Sequence, residues 1–188
     1  LDHARDYDEI RKAIDAGFSS VMFDGSSLPL KENILGTKRV VDYARARNVS
    51  VEAELGTGGG TEDGIAVSQD DACYTDPEDA VEFVKQTGID ALAVAIGTSH
   101  GQYKSKTNIS FERLKELQEV VDIPLVIHGG TGVKDEDVKR VIDLGIRKFN
   151  VGTELLVGWN RKSRECYDEH RENISNRDNV VPCLDTIT

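Results

Sequence analysis

Three of the four histidines in this 188-residue chain follow short apolar runs. His3 follows Leu1 and Asp2, His100 comes soon after the run 91–96, and His128 directly follows the run 124–127. Imidazole nitrogens are common zinc ligands, and three histidines with an open fourth position describe a catalytic zinc site. The parallel strands of a (β/α) barrel gather such distant residues, because all of them end on the same side of the barrel. The histidines therefore predict one metal centre at the ends of several strands.

Acidic residues occupy equivalent positions. Asp2 precedes His3, and Asp24 and Glu54 come at the ends of the next two predicted strands. Because the alternation of side chains loosens at the end of a strand, Asp2 and His3 are both expected to face the site. The alternative is that Asp2 only orients a ligating histidine. Asp24 and Glu54 fit either an orienting role or a second metal position, and helix capping is a further interpretation of Asp24.

Two glycine-rich turns precede predicted helices. The segment 128–132 comes before a helix expected to begin at Asp135, and the segment 150–153 comes before a helix expected to begin at Leu155. Backbone amides beside a helix N-terminus bind phosphate, and barrel enzymes commonly hold a phosphate after strands seven and eight. The alternative is purely structural, since tight turns need glycine in any case. Together with the histidines, the turns favour a phosphorylated substrate.

A third candidate is the glycine-rich segment 56–64, which contains Glu62. Such a segment is typical of a mobile lid that delivers a carboxylate to a bound substrate. Glu62 is thus a candidate base, and a solvated loop charge is the alternative.

Helical and extended patterns alternate along the chain, which favours parallel strands joined by right-handed crossovers. The predicted strands are 1–3, 18–23, 49–54, 91–96, 124–127 and 148–151, and the predicted helices are 8–16, 31–47, 76–88, 111–121, 135–145 and 155–173. Long loops are expected over 56–71 and 97–108, and little structure over 179–188. A barrel and an open doubly wound sheet both fit this order. The sequence has six predicted strands, whereas a closed barrel has eight. We therefore predict part of an α/β TIM barrel, folded as a single domain over residues 1–188. This barrel would lack its first two strands and part of its C-terminal tail.

Composition narrows the classes of partner. The net charge of −11 argues against nucleic acid and against anionic membrane surfaces, because the long-range field repels both. The three cysteines include no Cys-x-x-Cys pair, which is typical of a reduced, cytoplasmic protein. The sequence contains no apolar run long enough for a membrane span. A small metabolite is the expected ligand, and an anionic one would need a metal ion or helix amides nearby.

Together these segments resemble the class II, zinc-dependent ketose-bisphosphate aldolases, the family of fructose-1,6-bisphosphate and tagatose-1,6-bisphosphate aldolases. The resemblance covers nearly the whole chain and is carried, in order, by segments 1–3, 20–26, 51–56, 93–101, 127–132 and 150–155. It implies that His3, His100 and His128 bind zinc, with a monovalent cation or a second divalent ion as a further option. Asp24 and Glu54 match acidic residues near the metal.

The resemblance also implies the roles of the other site residues. Asp2 would be the acid/base at the cleaved bond, and Glu62 would move the carbon-bound proton of the substrate. The residues that match the segments holding dihydroxyacetone phosphate are Gly101, Gly129, Gly130, Thr131, Asn150, Val151, Gly152 and Thr153.

The expected activity is reversible aldol cleavage of a ketose 1,6-bisphosphate, by a homodimer or homotetramer, into dihydroxyacetone phosphate and glyceraldehyde 3-phosphate. A Schiff-base mechanism is less favoured, because Lys148, the lysine in a predicted strand, has no neighbouring motif. Two alternatives stay open. One is an inactive fragment or pseudoenzyme that keeps metal and phosphate binding, and the other is an aldolase for a related keto-sugar phosphate.

Overall fold

The structure, a computed structural model, describes residues 1–56, 59–62, 65–67, 74–100 and 109–186. Along the chain its elements are α1 (Tyr7–Asp15), β1 (Ser20–Phe23), α2 (Leu30–Arg45), β2 (Ser50–Leu55), β3 (Gly59–Glu62), β4 (Ile65–Val67), α3 (Pro77–Thr87), β5 (Ala91–Val94), β6 (Ser99–His100), α4 (Phe111–Val120), β7 (Leu125–Ile127), α5 (Asp135–Asp143), β8 (Ile146–Phe149), α6 (Thr153–Glu169), α7 (Asn176–Val180) and a 3₁₀ helix (Val181–Thr186). Two compact units divide the chain, residues 1–150 and residues 151–188. The prediction of one domain over the whole chain stays a prediction.

A five-stranded parallel sheet organises the first unit, in the order β1-β2-β5-β7-β8. The predicted strand tip at 1–3 lies beside β1, where Ala4 forms a parallel bridge to Phe23. The amide of Asp24 donates to the Ala4 carbonyl at 2.8 Å. Five of the predicted strands are thus confirmed, and the sixth is present as a single bridge.

Local signals explain where the helices begin and end. Asp76 caps α3 by accepting from the amides of Glu78 and Asp79, and Pro77 occupies the first turn. Gly88 ends this helix with φ +67°, a left-handed conformation that glycine adopts without strain. Ser110 caps α4 in the same way as Asp76, by accepting from the amide of Arg113.

The two faces of the main sheet bury different sets of side chains. Alternate residues on one face join the large apolar core with the helices, among them Val51, Ala53, Leu92, Val94, Leu125 and Ile127. The residues between them point the opposite way, and there Met22, Ala93 and Val126 form a small separate cluster. Strand alternation therefore leaves the second face to a few apolar side chains and to polar ones such as Glu52 and Glu54.

The sheet is strongly curved towards this second face. In a flat sheet, five strand spacings of about 4.8 Å would place residues 1–4 roughly 24 Å from the end of β8. Instead the amide nitrogen Nδ2 of Asn150, which follows β8, lies 3.2 Å from Oδ2 of Asp2. Contact across the concave face excludes a flat open sheet and agrees with a barrel-like architecture.

Two regions differ from the sequence-based expectations. The loops expected over 56–71 and 97–108 contribute a second, three-stranded sheet, in which β3 pairs antiparallel with β4 and parallel with β6. Glycine disfavours strands intrinsically, so β3 depends on its pairing with the neighbouring β4 and with β6, which lies far along the chain. The segment 179–188, expected to have little structure, contains the end of α7 and the 3₁₀ helix.

The second unit comprises α6, α7 and the 3₁₀ helix. Cys166 of α6 and Cys183 of the 3₁₀ helix are both buried, and Ser163 Oγ lies 3.3 Å from the Cys183 sulfur. Gly158 allows close packing in this unit, because a Cβ there would lie 3.4 Å from the carbonyl oxygen of Thr186. Of the helices in the described parts of the chain, none has the length and apolar character needed to cross a bilayer.

Candidate metal centre

Two of the predicted histidines meet on the concave face. His3 lies beside β1 with φ +44°, and His128 directly follows β7. Their facing atoms, Nε2 of His3 and Nδ1 of His128, are 2.6 Å apart. The rings cross at 84°, and both side chains are 5% exposed. Residues 125 positions apart thus place two imidazole nitrogens at one buried point.

The outer nitrogen of each ring faces carboxylates. Nδ1 of His3 lies 3.4 Å from Asp24 Oδ2 and 3.8 Å from Glu54 Oε2. Nε2 of His128 lies 2.8 Å from Glu52 Oε1. Ionised carboxylates only accept hydrogen bonds, so these contacts favour a proton on each outer nitrogen, although Nδ2 of Asn150 also lies 3.3 Å from Nε2 of His128. Histidines that bind metals are commonly oriented by such carboxylate partners.

This arrangement fits a bound cation. With the outer nitrogens protonated, neutral rings direct two lone pairs at each other across 2.6 Å, which is repulsive unless a proton or a metal ion lies between them. Zn–N bonds of ~2.0–2.1 Å in tetrahedral geometry keep ligand nitrogens roughly 3.3 Å apart, so the rings would separate slightly to admit zinc. Within the described part of the chain, two groups have ligand atoms close enough to share an ion, Asp2-His3-His128 and His3-Asp24-Glu54.

Asp24 is held by groups on three sides. Arg5 donates to Oδ2 from Nε at 3.2 Å and from Nη2 at 2.9 Å, and Ser26 donates to Oδ1 from its amide and its hydroxyl. Burial alone would raise the pKa of Asp24, but the hydrogen bonds from His3, Ser26 and Arg5 hold it well below its usual range. The helix-capping interpretation of Asp24 is wrong, because α2 begins at Leu30 after Pro29.

Glu52 belongs to the site although the sequence reasoning did not name it. It bridges His128 and Lys148, whose Nζ lies 2.6 Å from Oε2. Burial tends to raise the pKa of Glu52, and the hydrogen bonds from His128 and Lys148 outweigh this and lower it. The available signal was the spacing of Glu52 and Glu54 between the apolar residues 51, 53 and 55, since residues two apart share one face.

Asp2 lies at the exposed edge of the same cluster. Its carboxylate accepts from Asn150 Nδ2 at 3.2 and 3.3 Å. The amide of Asn150 donates to the Ile127 carbonyl at 2.9 Å, and its carbonyl accepts from Gly130 at 3.1 Å. The turns after β7 and β8 are therefore tied together, and this fixes the side chain that holds Asp2.

The predicted phosphate-binding turns are present in part. Gly129 has φ +71°, and the Gly130 amide is engaged by Asn150 within the first unit, while Thr131 is buried. Three acidic residues occupy the first turn of α5, and their charge disfavours an anion at that helix N-terminus. In the second unit Val151 and Gly152 lead into α6, which begins at Thr153 rather than Leu155.

The remaining predicted residues fall in the second sheet or outside it. Glu62 ends β3 and His100 ends β6, with Gly60 opposite His100 in the register of the two strands. The side chains of Glu62 and His100 lie outside the described residues, and so does Gly101. The contribution of these three residues stays a prediction.

Comparison with known proteins identifies the family. The sequence model of the family Fructose-bisphosphate aldolase class-II matches residues 1–187. The chain belongs to this class-II aldolase family. A class-II aldolase relative from Bacillus licheniformis, 6-phospho-5-dehydro-2-deoxy-D-gluconate aldolase, is 44% identical over 187 residues. This match covers 100% of the chain and 63% of that relative.

Solved structures agree with the class-II aldolase assignment. The YdjI aldolase from Escherichia coli K12 is 36% identical with a TM-score of 0.77, over 99% of this chain and 66% of that one. A protein from Coccidioides immitis, described as a proposed fructose-1,6-biphosphate aldolase, is 31% identical with a TM-score of 0.81, over 98% and 66% of the two chains. The chain thus spans slightly less than two thirds of the length of these relatives.

Proposed function

We propose that this chain carries the zinc site of a class II aldolase that reversibly cleaves a phosphorylated keto sugar. The observation that carries the proposal is the convergence of His3 Nε2 and His128 Nδ1 at 2.6 Å, each ring oriented from behind by a buried carboxylate. His100 would complete the ligand set. Family membership supports the reaction class, and the two-ring arrangement supports the metal dependence.

The proposed reaction needs a Lewis acid, two proton transfers and a phosphate-binding site. When bound, zinc would act as a Lewis acid that stabilises the negative charge developing on the substrate's carbonyl oxygen. Asp2 would exchange a proton with the hydroxyl oxygen at the cleaved bond, and Asn150 holds its carboxylate at 3.2 Å for that purpose. Glu62 would move the carbon-bound proton. Phosphate binding by the turn that contains Gly129 and Thr131, and by residues 151–153, stays a prediction of the family resemblance.

Three candidate substrates could undergo this reaction at the site. Fructose and tagatose 1,6-bisphosphates carry a ketone next to a phosphorylated carbon, and retro-aldol cleavage gives dihydroxyacetone phosphate and glyceraldehyde 3-phosphate. The compound named for the Bacillus licheniformis relative, 6-phospho-5-dehydro-2-deoxy-D-gluconate, has the same keto-phosphate end. Its cleavage between C3 and C4 gives the same ketone product and an aldehyde acid instead. The difference is confined to the aldehyde half.

The contacts of Lys148 argue against Schiff-base chemistry. A lysine nucleophile must act as a neutral amine. Lys148 instead forms an ion pair with Glu52 at 2.6 Å. The metal mechanism is the better account of this site.

The fold proposal has the same basis. We infer that residues 1–4 and the five parallel strands are six of the eight strands of a TIM barrel. A homodimer or homotetramer and a cytoplasmic location stay predictions.

The decisive experiment removes the metal and then the ligands. We expect EDTA to abolish cleavage by the purified protein and Zn²⁺ to restore it, measured with all three substrates. His128→Ala should lower bound zinc and activity by at least about 100-fold, beyond the loss typical of groups that only orient a ligand. His170→Ala is the control, because this exposed histidine of the second unit forms a 3.8 Å pair with Glu172.

Each outcome distinguishes the candidates. Full cleavage after EDTA would refute the metal mechanism. Stoichiometric zinc without turnover of any of the three substrates would favour the pseudoenzyme alternative. Turnover limited to the deoxygluconate compound would refute bisphosphate specificity while keeping the reaction type.

A further inference from the structure

A chain of contacts links a half-exposed lysine to the His128 ring, at the nitrogen that faces away from His3. Nζ of Lys148 contacts Oε2 of Glu52 at 2.6 Å, and Oε1 of the same carboxylate contacts His128 Nε2 at 2.8 Å. The Lys148 side chain is 49% exposed, whereas Glu52 and His128 are 7% and 5% exposed. Solvent therefore reaches one end of a contact chain whose other end is buried.

The pair spans the concave face. Glu52 lies on β2 and Lys148 on β8, and β5 and β7 separate these strands in the sheet. A carboxylate anchored at one oxygen can turn about its last torsion angle, whose energy well is broad. Here Lys148 on β8 contacts one oxygen and His128, which follows β7, contacts the other, so the plane of the carboxylate is fixed. That in turn fixes the His128 ring, with its Nδ1 towards His3.

We propose that Lys148 and Glu52 form a positioning pair that holds His128 in its metal-binding orientation, so that Lys148 strengthens zinc binding although it is itself a cation. This inference rests on the proposed function, because it takes His128 to be a zinc ligand. Lys148 touches neither the metal position nor the substrate in this account, and it acts through Glu52 alone.

The sign of the effect separates this role from simple electrostatics. A positive charge near a cation site opposes metal binding, so removing Lys148 should tighten zinc binding if charge alone matters. Removing a group that orients a ligand weakens metal binding, typically by 10–100-fold. The two accounts therefore predict changes in opposite directions for one substitution.

The experiment measures zinc dissociation constants by competition with a chromophoric chelator. We expect Lys148→Met to weaken zinc binding about 10-fold, Lys148→Arg to stay within roughly 3-fold of wild type, and Glu52→Gln to weaken binding by 10–100-fold. The matched control is Arg147→Met on the same strand. Arg147 is exposed and its guanidinium lies against the Ile146 carbonyl, so its loss removes the same charge without touching Glu52. Circular dichroism verifies that each variant is folded.

A second readout does not depend on zinc. In the metal-free protein, the ¹⁵N chemical shifts of the His128 ring should show a protonated Nε2 in the wild type and partial loss of that proton in Glu52→Gln. Zinc binding by folded Lys148→Met that equals or exceeds the wild type would overturn the positioning role of Lys148. An unprotonated Nε2 in the wild type would overturn that of Glu52. Failure of the wild type to take up zinc would refute the proposed function instead, and the ¹⁵N measurement would still test the hold of Glu52 on His128.

Discussion

The two faces of the main sheet bury side chains of opposite character. The helix-facing side is apolar from strand to strand, and side chains such as Leu92 and Leu125 are fully buried there. The concave side buries Asp24, Glu52, Glu54 and His128 beside a cluster of three apolar residues. Buried polar groups are tolerated when hydrogen bonds or ion pairs replace water. The comparison indicates that the helix-facing side contributes most of the free energy of unfolding. The concave side buries polar groups at a cost in that free energy, and these groups form the site.

The largest effect should come from the helix-facing side. Leu92→Ala removes a fully buried side chain in β5 and should lower the free energy of unfolding by about 2–5 kcal/mol. Urea denaturation measures this loss. Leu35→Ala, at a position that is 69% exposed, is the control and should change little. Equal losses in the two variants would contradict the assignment of stability to this face.

A smaller loss is expected when the polar network on the concave side is broken. Asp24→Asn keeps the shape of the side chain but removes the charge that Arg5, Ser26 and His3 share. An unmatched buried donor costs about 1–3 kcal/mol, so the zinc-free protein should lose stability in that range. Asp15→Asn is the control, because this exposed carboxylate contacts Tyr43 and Arg47 at the surface. An unchanged urea midpoint for Asp24→Asn would show that the network serves the site alone.

The smallest effect should come from the apolar cluster on the concave side. Met22→Leu conserves volume, and such swaps usually cost less than about 1.5 kcal/mol. Zinc binding should be preserved, because the contact between His3 and Met22 joins the backbone amide of His3 to the sulfur at 3.5 Å and does not involve the imidazole ring. Parallel urea and zinc titrations test both statements. A loss as large as that of Leu92→Ala would mean that both faces contribute equally to stability.

Sequence patterns were sufficient for the elements whose signals are local. The apolar runs, together with caps such as Asp76 and Ser110, predicted the five parallel strands and the helices between them. The positions of His3, Asp2 and His128 followed from one rule, that parallel strands end on the same side. The second sheet could not be predicted this way, because β3 consists of glycine and polar residues and one of its two partners, β6, lies far along the chain.

Glu52 shows a different limit. The alternation of side chains along β2 predicts which face Glu52 shares, but its partners His128 and Lys148 are 76 and 96 residues away. Pairing of that kind depends on how strongly the sheet curves, and no local pattern encodes the curvature. Arg5 was missed for the same reason, since its partner Asp24 is 19 residues away.

The hydrogen bond between Asn150 and Asp2 joins residues 148 positions apart. Contacts of such long sequence separation are costly in chain entropy and tend to make folding slow. A ribosome must therefore release nearly all of the first unit before the metal centre can assemble. A truncated or partly unfolded chain that lacks either end of this unit is expected to bind zinc poorly, so metal uptake would serve as a gauge of complete folding.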